Sequence, residues 1–548
     1  MRRPPQVRLL VPTTVLGGSS RRVAAVVGAA LLIGASAGCA PRTPELITGP
    51  FAALLASSTD LGRSRAAHAQ LTVTLAAADR PSAVMDWAEA RNLRVRWRSG
   101  DTWAIVEGAA EDIARAFDVP VRDFRGPKGQ LFYASPAQPS VPMPLRGSVT
   151  EVGRIMSYTP HHTKVSGLAP GFFPLDVPKG GLTPTGLLEV YNATPLADAG
   201  FTGKGATIVF FAFDGAEQDD LDMFADTSGL PRFTPIWVGG KPEETRGETA
   251  MDLQVAHAIA PDAQLVVVNA RPTVEGDGAY EKIGRLFESV DRQFPGAVWS
   301  LSIGWGCEKL VTAADLAPVH AALTAAQENG TSAFDASGDN GGLECKGGDE
   351  WSSPPGPDDV GLDSIASLPT MTAVGGTTLS TGPRGQWRAE HAWVDSPLSQ
   401  GSSGGVSQFF DRPTWQEKLA VDRDTEGKRL SPDVAAVADP FTGVRFIFDQ
   451  REVLGGGTSQ AAPIWAALTV LMNQYIVANG GRPLGNLNPQ LYRVAAGSNL
   501  PGFRDVRRGG NAVDLAQPGY DLVTGLGSPN TYNLARNLLD LQTGAAPR

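Results

Sequence analysis

Clustered positive charge, cysteine and long apolar runs are all scarce in this chain. A net charge of −10 with no block of Lys and Arg excludes the basic footprint of a nucleic-acid surface. The three cysteines exclude a disulfide-dense scaffold and a cysteine-built metal cluster. Near the N-terminus residues 23–37 form an uncharged run, and its fifteen small or apolar residues are too few to cross a bilayer comfortably. Turn formers, in contrast, are plentiful, with 63 Gly and 42 Pro. A chain of 548 residues exceeds one ordinary core, so two domains plus processing segments are expected.

The front of the chain reads as an export signal over residues 1–39. Arg2, Arg3, Arg8, Arg21 and Arg22 precede the apolar run, the arrangement of a signal peptide; Ser20-Arg21-Arg22 also resembles a twin-arginine signal. Ala35-Ser36-Ala37 is a cleavage sequence, while Ser36-Ala37-Gly38-Cys39 resembles a lipobox that would anchor the protein to a membrane through Cys39. Extracellular or cell-envelope placement follows. Cys307 and Cys345 then remain, and an exported protein can join them.

Residues 50–140 read as a small α+β domain. Strand, helix, hairpin, helix and strand follow over 69–75, 81–91, 93–107, 109–117 and 119–124, the βαββαβ order of ferredoxin-like domains. Residues 141–182 are Pro- and Gly-rich and read as a linker open to cleavage. The pair His161-His162 inside it has no further ligands nearby and is not expected to hold a metal.

From 183 to 540 apolar strands alternate with helical runs, which predicts a doubly wound, mostly parallel sheet with site residues at strand ends. In GETAMDLQVAHAIAP, Glu248 and Asp252 are four apart and share one helix face. If shielded from water they cannot both ionise cheaply, so one pKa should rise; an exposed acidic face is the other reading. Asp339, in Ala336-Ser337-Gly338-Asp339-Asn340-Gly341-Gly342, follows a strand and lies among glycines that let backbone approach a ligand, although turn chemistry explains the same residues. In Gly455-Gly456-Gly457-Thr458-Ser459-Gln460-Ala461-Ala462-Pro463 a Gly-rich loop enters an apolar helix, placing Ser459 where unpaired N–H groups favour developing negative charge. A Thr or Ser helix cap fits that stretch equally well.

Taken in order, these motifs resemble the sedolisins, the serine-carboxyl peptidases. The resemblance runs over about 50–535 and includes Leu182-Thr183-Pro184-Thr185-Gly186-Leu187, the Glu248/Asp252 helix, SLSIGWG at 300–306, ASGDNGG, the Gly-rich 402–407, Ser431-Pro432-Asp433-Val434 and GGTSQAAP. It implies a subtilisin-like α/β fold behind a ferredoxin-like pro-domain that acts as an intramolecular inhibitor, and an acid-acting, self-processed endopeptidase working on peptides or proteins as a monomer. Ser459 would be the nucleophile, Glu248 the base and later acid, Asp252 its tuner, and a protonated Asp339 the oxyanion donor beside the Ser459 N–H. None of His68, His161, His162, His257, His320 or His391 has the Gly-Thr context of a subtilisin histidine, and His257 is expected to be packed structurally. Gly401-Ser402-Ser403-Gly404-Gly405 fits G-x-S-x-G but leads into no helix; the resemblance implies a substrate-cleft loop there instead.

The resemblance further implies one structural calcium ion held by the Asp505 and Asp521 side chains and the carbonyls of Val506, Gln517 and Gly519, hard oxygen donors of the type calcium takes. The family's helper glutamate is absent: its place is taken by Ala212, with Asp214 two residues on. A tripeptidyl-peptidase of the same family and a weakly catalytic surface-anchored binding protein are the competing functions.

Overall fold

The structure is a computed structural model that describes residues 45–163, 181–346, 356–382, 385–395, 399–421 and 425–544. The export signal, Cys39 and linker residues 164–180 lie outside the described residues.

The small domain is built on a four-stranded antiparallel sheet in the order Arg94–Arg96, Trp103–Gly108, Ala69–Leu75, Val149–Val152. Helices Ser82–Glu89 and Ala110–Phe117 bury Val84, Trp87, Ile113 and Phe117 in its core. The order is ferredoxin-like, but the last strand differs from the sequence expectation. Residues 119–124 do not close the sheet: Arg122–Arg125 joins Thr59–Arg63 and Leu131–Ala134 in a separate three-stranded antiparallel sheet. The closing strand, Val149–Val152, comes from the stretch read as linker. Val149 and Val152 are buried there while Thr150 is exposed, a pattern too short to register beside the prolines that precede it. The small domain therefore runs to at least residue 152 rather than 140.

In the large domain a parallel sheet runs Ile236–Val238, Gln264–Asn269, Thr207–Ala212, Val298–Leu301, Ser332–Ala336, Thr372–Thr381. Val434–Val437 adds parallel to the Thr372–Thr381 strand, and Trp387–Ala392 adds antiparallel. Both faces are covered, as parallel sheets require. Along Thr207–Ala212, Ile208, Phe210 and Ala212 enter one core with helices Glu248–Ile259 and Thr458–Ala478, whereas Val209 and Phe211 enter the other with Ala279–Gln293 and Ala313–Glu328. This is the α/β, doubly wound fold expected. Helix Thr458–Ala478 is long and apolar enough to cross a membrane, but it is mostly buried as a core element.

The small domain rests on the second pair of helices through charge. Arg96 bridges Glu107 and Glu281, Arg98 reaches Glu288, and Arg285 holds Asp101 at 3.0 Å. The Tyr133 hydroxyl donates to Asp277 at 2.9 Å, and the Arg154 amide donates to Asp315 at 3.1 Å. Beyond that sheet, His162–Thr163 leaves the small domain and pairs antiparallel with Ile303–Gly304, Thr163 opposite Ile303 and His162 opposite Gly304.

Candidate active site

Helix Glu248–Ile259 is buried along its whole length, so the reading of Glu248 and Asp252 as an exposed acidic face fails. A helix with no wet side bears a free-energy cost for each polar group left without an internal partner. Gln254 trades two bonds with Ile447, donating to its carbonyl at 2.8 Å and accepting from its amide at 2.6 Å. His257 meets the Pro231 carbonyl at 2.7 Å and stacks on Phe233, the packed structural role expected of it. Glu248 and Asp252 are each only 1 % exposed. Burial pushes both carboxyls well above their usual range, and the charge of Asp252 raises Glu248 further. The Ser459 side chain is the group that favours ionised Glu248, and the Ser302 hydroxyl, 3.0 Å from Asp252 Oδ1, favours ionised Asp252. The two carboxyls thus titrate as a pair whose buried site disfavours charging both.

Ser459 is the second residue of helix Thr458–Ala478, reached through Gly457 at φ 87°, a conformation that suits glycine and turns the chain sharply into the helix. Gln460 locks this turn, accepting from the Val444 amide at 2.9 Å and donating to the Val437 carbonyl at 2.9 Å. The helix is capped by Gly457 with no side-chain cap bond, so the expected Thr or Ser cap is not formed and Thr458 is the first helical residue. Its amide and its hydroxyl both donate to Asp339 Oδ1 at 2.7 Å, while the hydroxyl accepts from the Gly338 amide at 3.1 Å. Asp339 is thereby tied to the residue preceding Ser459, and its charge is felt at Glu248. Ser459, Glu248, Asp252 and Asp339 come together at the carboxyl ends of the parallel strands.

Asp214 has a part that sequence reasoning left open. Oδ2 accepts from the Arg246 amide at 2.8 Å, and Oδ1 accepts from the Thr249 amide at 3.2 Å and the Thr249 hydroxyl at 2.5 Å. The carboxylate caps the helix whose first residue is Glu248, where orphan N–H groups need acceptors. It adds negative charge near Glu248 and is itself raised by burial. Ser302 was also missed as a functional residue, although it lies inside a motif that was noticed.

Cys307 and Cys345 are joined in a disulfide with Cα atoms 4.7 Å apart, as expected, linking the end of SLSIGWG to the loop after ASGDNGG. The Ser402–Ser403 segment lies against the same loop, with the Gly401 amide on the Asp339 carbonyl at 2.8 Å and the Ser403 amide on the Gly338 carbonyl at 3.0 Å. The edge-on contact of His161 with Phe213 gives that histidine a packing role.

The proposed calcium donors converge on one loop. Both Asp505 oxygens accept from the Gly519 amide, at 3.1 and 3.2 Å, and Asp505 also pairs with Arg507. Asp521 Oδ2 accepts from the Gln517 amide at 3.3 Å, and Oδ1 accepts from the amides of Val523 and Thr524. Burial lifts Asp521 to about 6. Val506 is buried beside Asp505. Both carboxylates meet one loop, and their oxygens are donors of the type a hard cation takes, although here they accept from backbone amides and Arg507.

Comparison with known proteins agrees with this fold. No family model matches the chain. Kumamolisin of Bacillus sp. (strain MN-32) is 29% identical over 467 residues, covering 81% of this chain and 80% of the relative. Sedolisin of Pseudomonas sp. (strain 101) is 26% identical over 466 residues, 78% of this chain and 73% of the relative. Tripeptidyl-peptidase 1 of Mus musculus is 30% identical over 197 residues, 32% of this chain and 33% of the relative. A solved structure of Pseudomonas sedolisin, a serine-carboxyl proteinase complexed with two molecules of pseudo-iodotyrostatin, aligns at TM-score 0.52 with 24% identity over 65% of this chain and 97% of that one, a likeness of fold. The chain is a serine peptidase, a hydrolase of peptide bonds. Its likeness to kumamolisin and sedolisin over most of the chain supports the sedolisin family, the serine-carboxyl peptidases.

Proposed function

We propose that this chain is an acid-acting endopeptidase made as a self-processed precursor, with Ser459 as nucleophile and Glu248 as its base. One observation carries the reading: the Ser459 side chain faces a buried Glu248 whose proton affinity is raised by Asp252 in a site without histidine. Ser459 attacks the peptide carbonyl and passes its proton to Glu248, which returns it to the leaving amine. The pair shares one proton, and Glu248 is the base in the form whose proton lies on Asp252. Asp339, fixed through Oδ1 by Thr458, carries its proton on Oδ2 and donates to the oxyanion beside the Ser459 amide. Such a donor needs a neutral carboxyl, which is the reason for work in acid. Losing it is expected to reduce turnover on the order of 100- to 1000-fold.

The precursor reading is supported by His162–Thr163, a strand from the small domain's own trailing segment laid along Ile303–Gly304, next to Ser302. A peptide bound in that way fills the edge a substrate backbone would use. Acid loosens the clamp: burial raises Asp101, Asp277 and Asp315 above the usual carboxylate range, so each is neutralised before an exposed carboxyl would be, and Arg285 loses its Asp101 partner. The relatives named tripeptidyl-peptidase 1 match only about a third of the chain, so their more particular activity is not carried over to it.

Export through the signal at 1–39, with anchoring at Cys39, and a structural calcium at Asp505, Val506, Gln517, Gly519 and Asp521 belong to the same proposal. Calcium would neutralise the Asp505 and Asp521 charges and brace the C-terminal loop. The test is incubation of the purified full chain at acidic and neutral pH beside Ser459→Ala, followed by intact mass. Acid-dependent shortening confined to the wild type supports the reading, and an inert wild type contradicts it.

A further inference from the structure

Glu344, which no motif singled out, lies five residues after Asp339 and is 3 % exposed. Its carboxylate touches the chain on both sides of that aspartate. On the far side, Oε1 accepts from the Asn340 amide at 3.2 Å and Oε2 from the Asn340 side-chain nitrogen at 3.1 Å. On the near side, Gly338 at φ 120° presents no Cβ; one built there would stand 1.9 Å from Glu344 Oε1. Oε1 also accepts from the Ser403 hydroxyl at 2.6 Å, and that hydroxyl accepts from the Gly342 amide at 3.1 Å. One buried carboxylate therefore joins residues 338, 340, 342 and 403, the frame within which Asp339 stands. The next residue, Cys345, is bound to Cys307, so the carboxylate is anchored from behind.

The partner cysteine has a similar neighbour. Glu308 is fully buried and accepts from the Gln408 amide at 2.7 Å and the Ser407 hydroxyl at 3.0 Å. The two glutamates beside the disulfide grip the same Gly-rich segment at its two ends. Glu344 is the one that also reaches the Asp339 loop.

We propose that Glu344 is a positioning residue for peptide hydrolysis, fixing the backbone on either side of Asp339 so that its carboxyl is held at the oxyanion site. This rests on the reading of Asp339 as oxyanion donor. A buried network of this kind is specified only when every member is satisfied, and a donor displaced by an ångström loses much of its effect. Glu344 touches no substrate; it acts through Asp339.

The test uses the full chain incubated in acid, with kcat and KM for a peptide substrate and a melting curve for each variant. Glu344→Ala is expected to lower kcat on the order of 10- to 100-fold with KM changed less than about threefold. Glu344→Gln keeps an acceptor for Ser403 and the Asn340 amide, and a flip of the Asn340 amide satisfies its new donor, so it should recover most of kcat and guards against misfolding of the Ala variant. In an Asp339→Ala background Glu344→Ala should cost nothing further, a non-additivity that a purely structural role would not give. Equal, additive losses in both backgrounds, or a change in KM alone, overturn the proposal. Full kcat in Asp339→Ala overturns instead the reading of Asp339 on which it rests.

Discussion

Ser302 donates its hydroxyl to Asp252 Oδ1 at 3.0 Å and lies 3.2 Å from the Ser459 carbonyl, so one small side chain joins the proposed tuning acid to the first turn of the helix that bears the proposed nucleophile. A hydroxyl donated to a carboxylate favours its ionised form. With Ser302→Ala the Asp252 carboxyl rises further, and the pair takes up its second proton at a higher pH. The acid limb of the kcat profile is expected to move upward and kcat at the optimum to fall about tenfold. A pH–rate profile of the variant checks both; an unmoved acid limb contradicts the role.

Asp214 is expected to hold Glu248 through the helix rather than through its carboxyl. Asp214→Ala strips acceptors from the Arg246 and Thr249 amides, which should lower stability by about 1–2 kcal/mol and reduce kcat as the first turn frays. Denaturant melts and steady-state rates on the same preparation test this, and a variant with unchanged stability would show that the amides find other partners.

Glu308 is pushed up to about 7 by burial, against the hydrogen bonds of Gln408 and Ser407. Lys309 alone among neighbouring charges lowers it. Because the folded value lies above the unfolded one near 4.5, the neutral form is the one folding favours. The stability it contributes is present below about pH 4.5 and lost as pH rises through 7, a swing on the order of 3 kcal/mol at about 1.4 kcal/mol per unit. Glu308→Gln should flatten this part of the stability curve between pH 4.5 and 7. Chemical denaturation at several pH values measures it.

Much of the catalytic domain was legible because its helices and strands are long and periodic: the helix read at Glu248 begins and ends as Glu248–Ile259, and the spacing of Glu248 and Asp252 could be converted into a shared face. The small domain's order was legible, its last strand was not, since Val149–Val152 offers only two buried residues between Gly147 and Gly153. Hydroxyl and carboxylate partners such as Thr458, Ser302 and Glu344 stayed hidden for another reason. Their meaning depends on contacts between segments more than a hundred residues apart, or on a loop closing upon itself, and no local pattern encodes either.

Reduction of the Cys307–Cys345 bond should cost about 2–4 kcal/mol of stability and lower kcat, because Cys345 follows Glu344 directly. Rates with and without reductant, alongside a Cys307→Ala/Cys345→Ala variant measured in the same way, give the size of the effect. Full activity without the bond would mean that the Asp339 loop keeps its place unaided.

Transfer of the Ser459 proton to a carboxylate is tested most directly by acylation. The full chain, incubated in acid, is treated at acidic pH with an activated peptide ester, quenched, and mapped by mass spectrometry. Acyl label on Ser459 in the wild type and essentially none in Glu248→Gln, despite a melting temperature no lower than that of the wild type, is the expected result. Equal labelling of Ser459 in Glu248→Gln, or label on another residue, would contradict it.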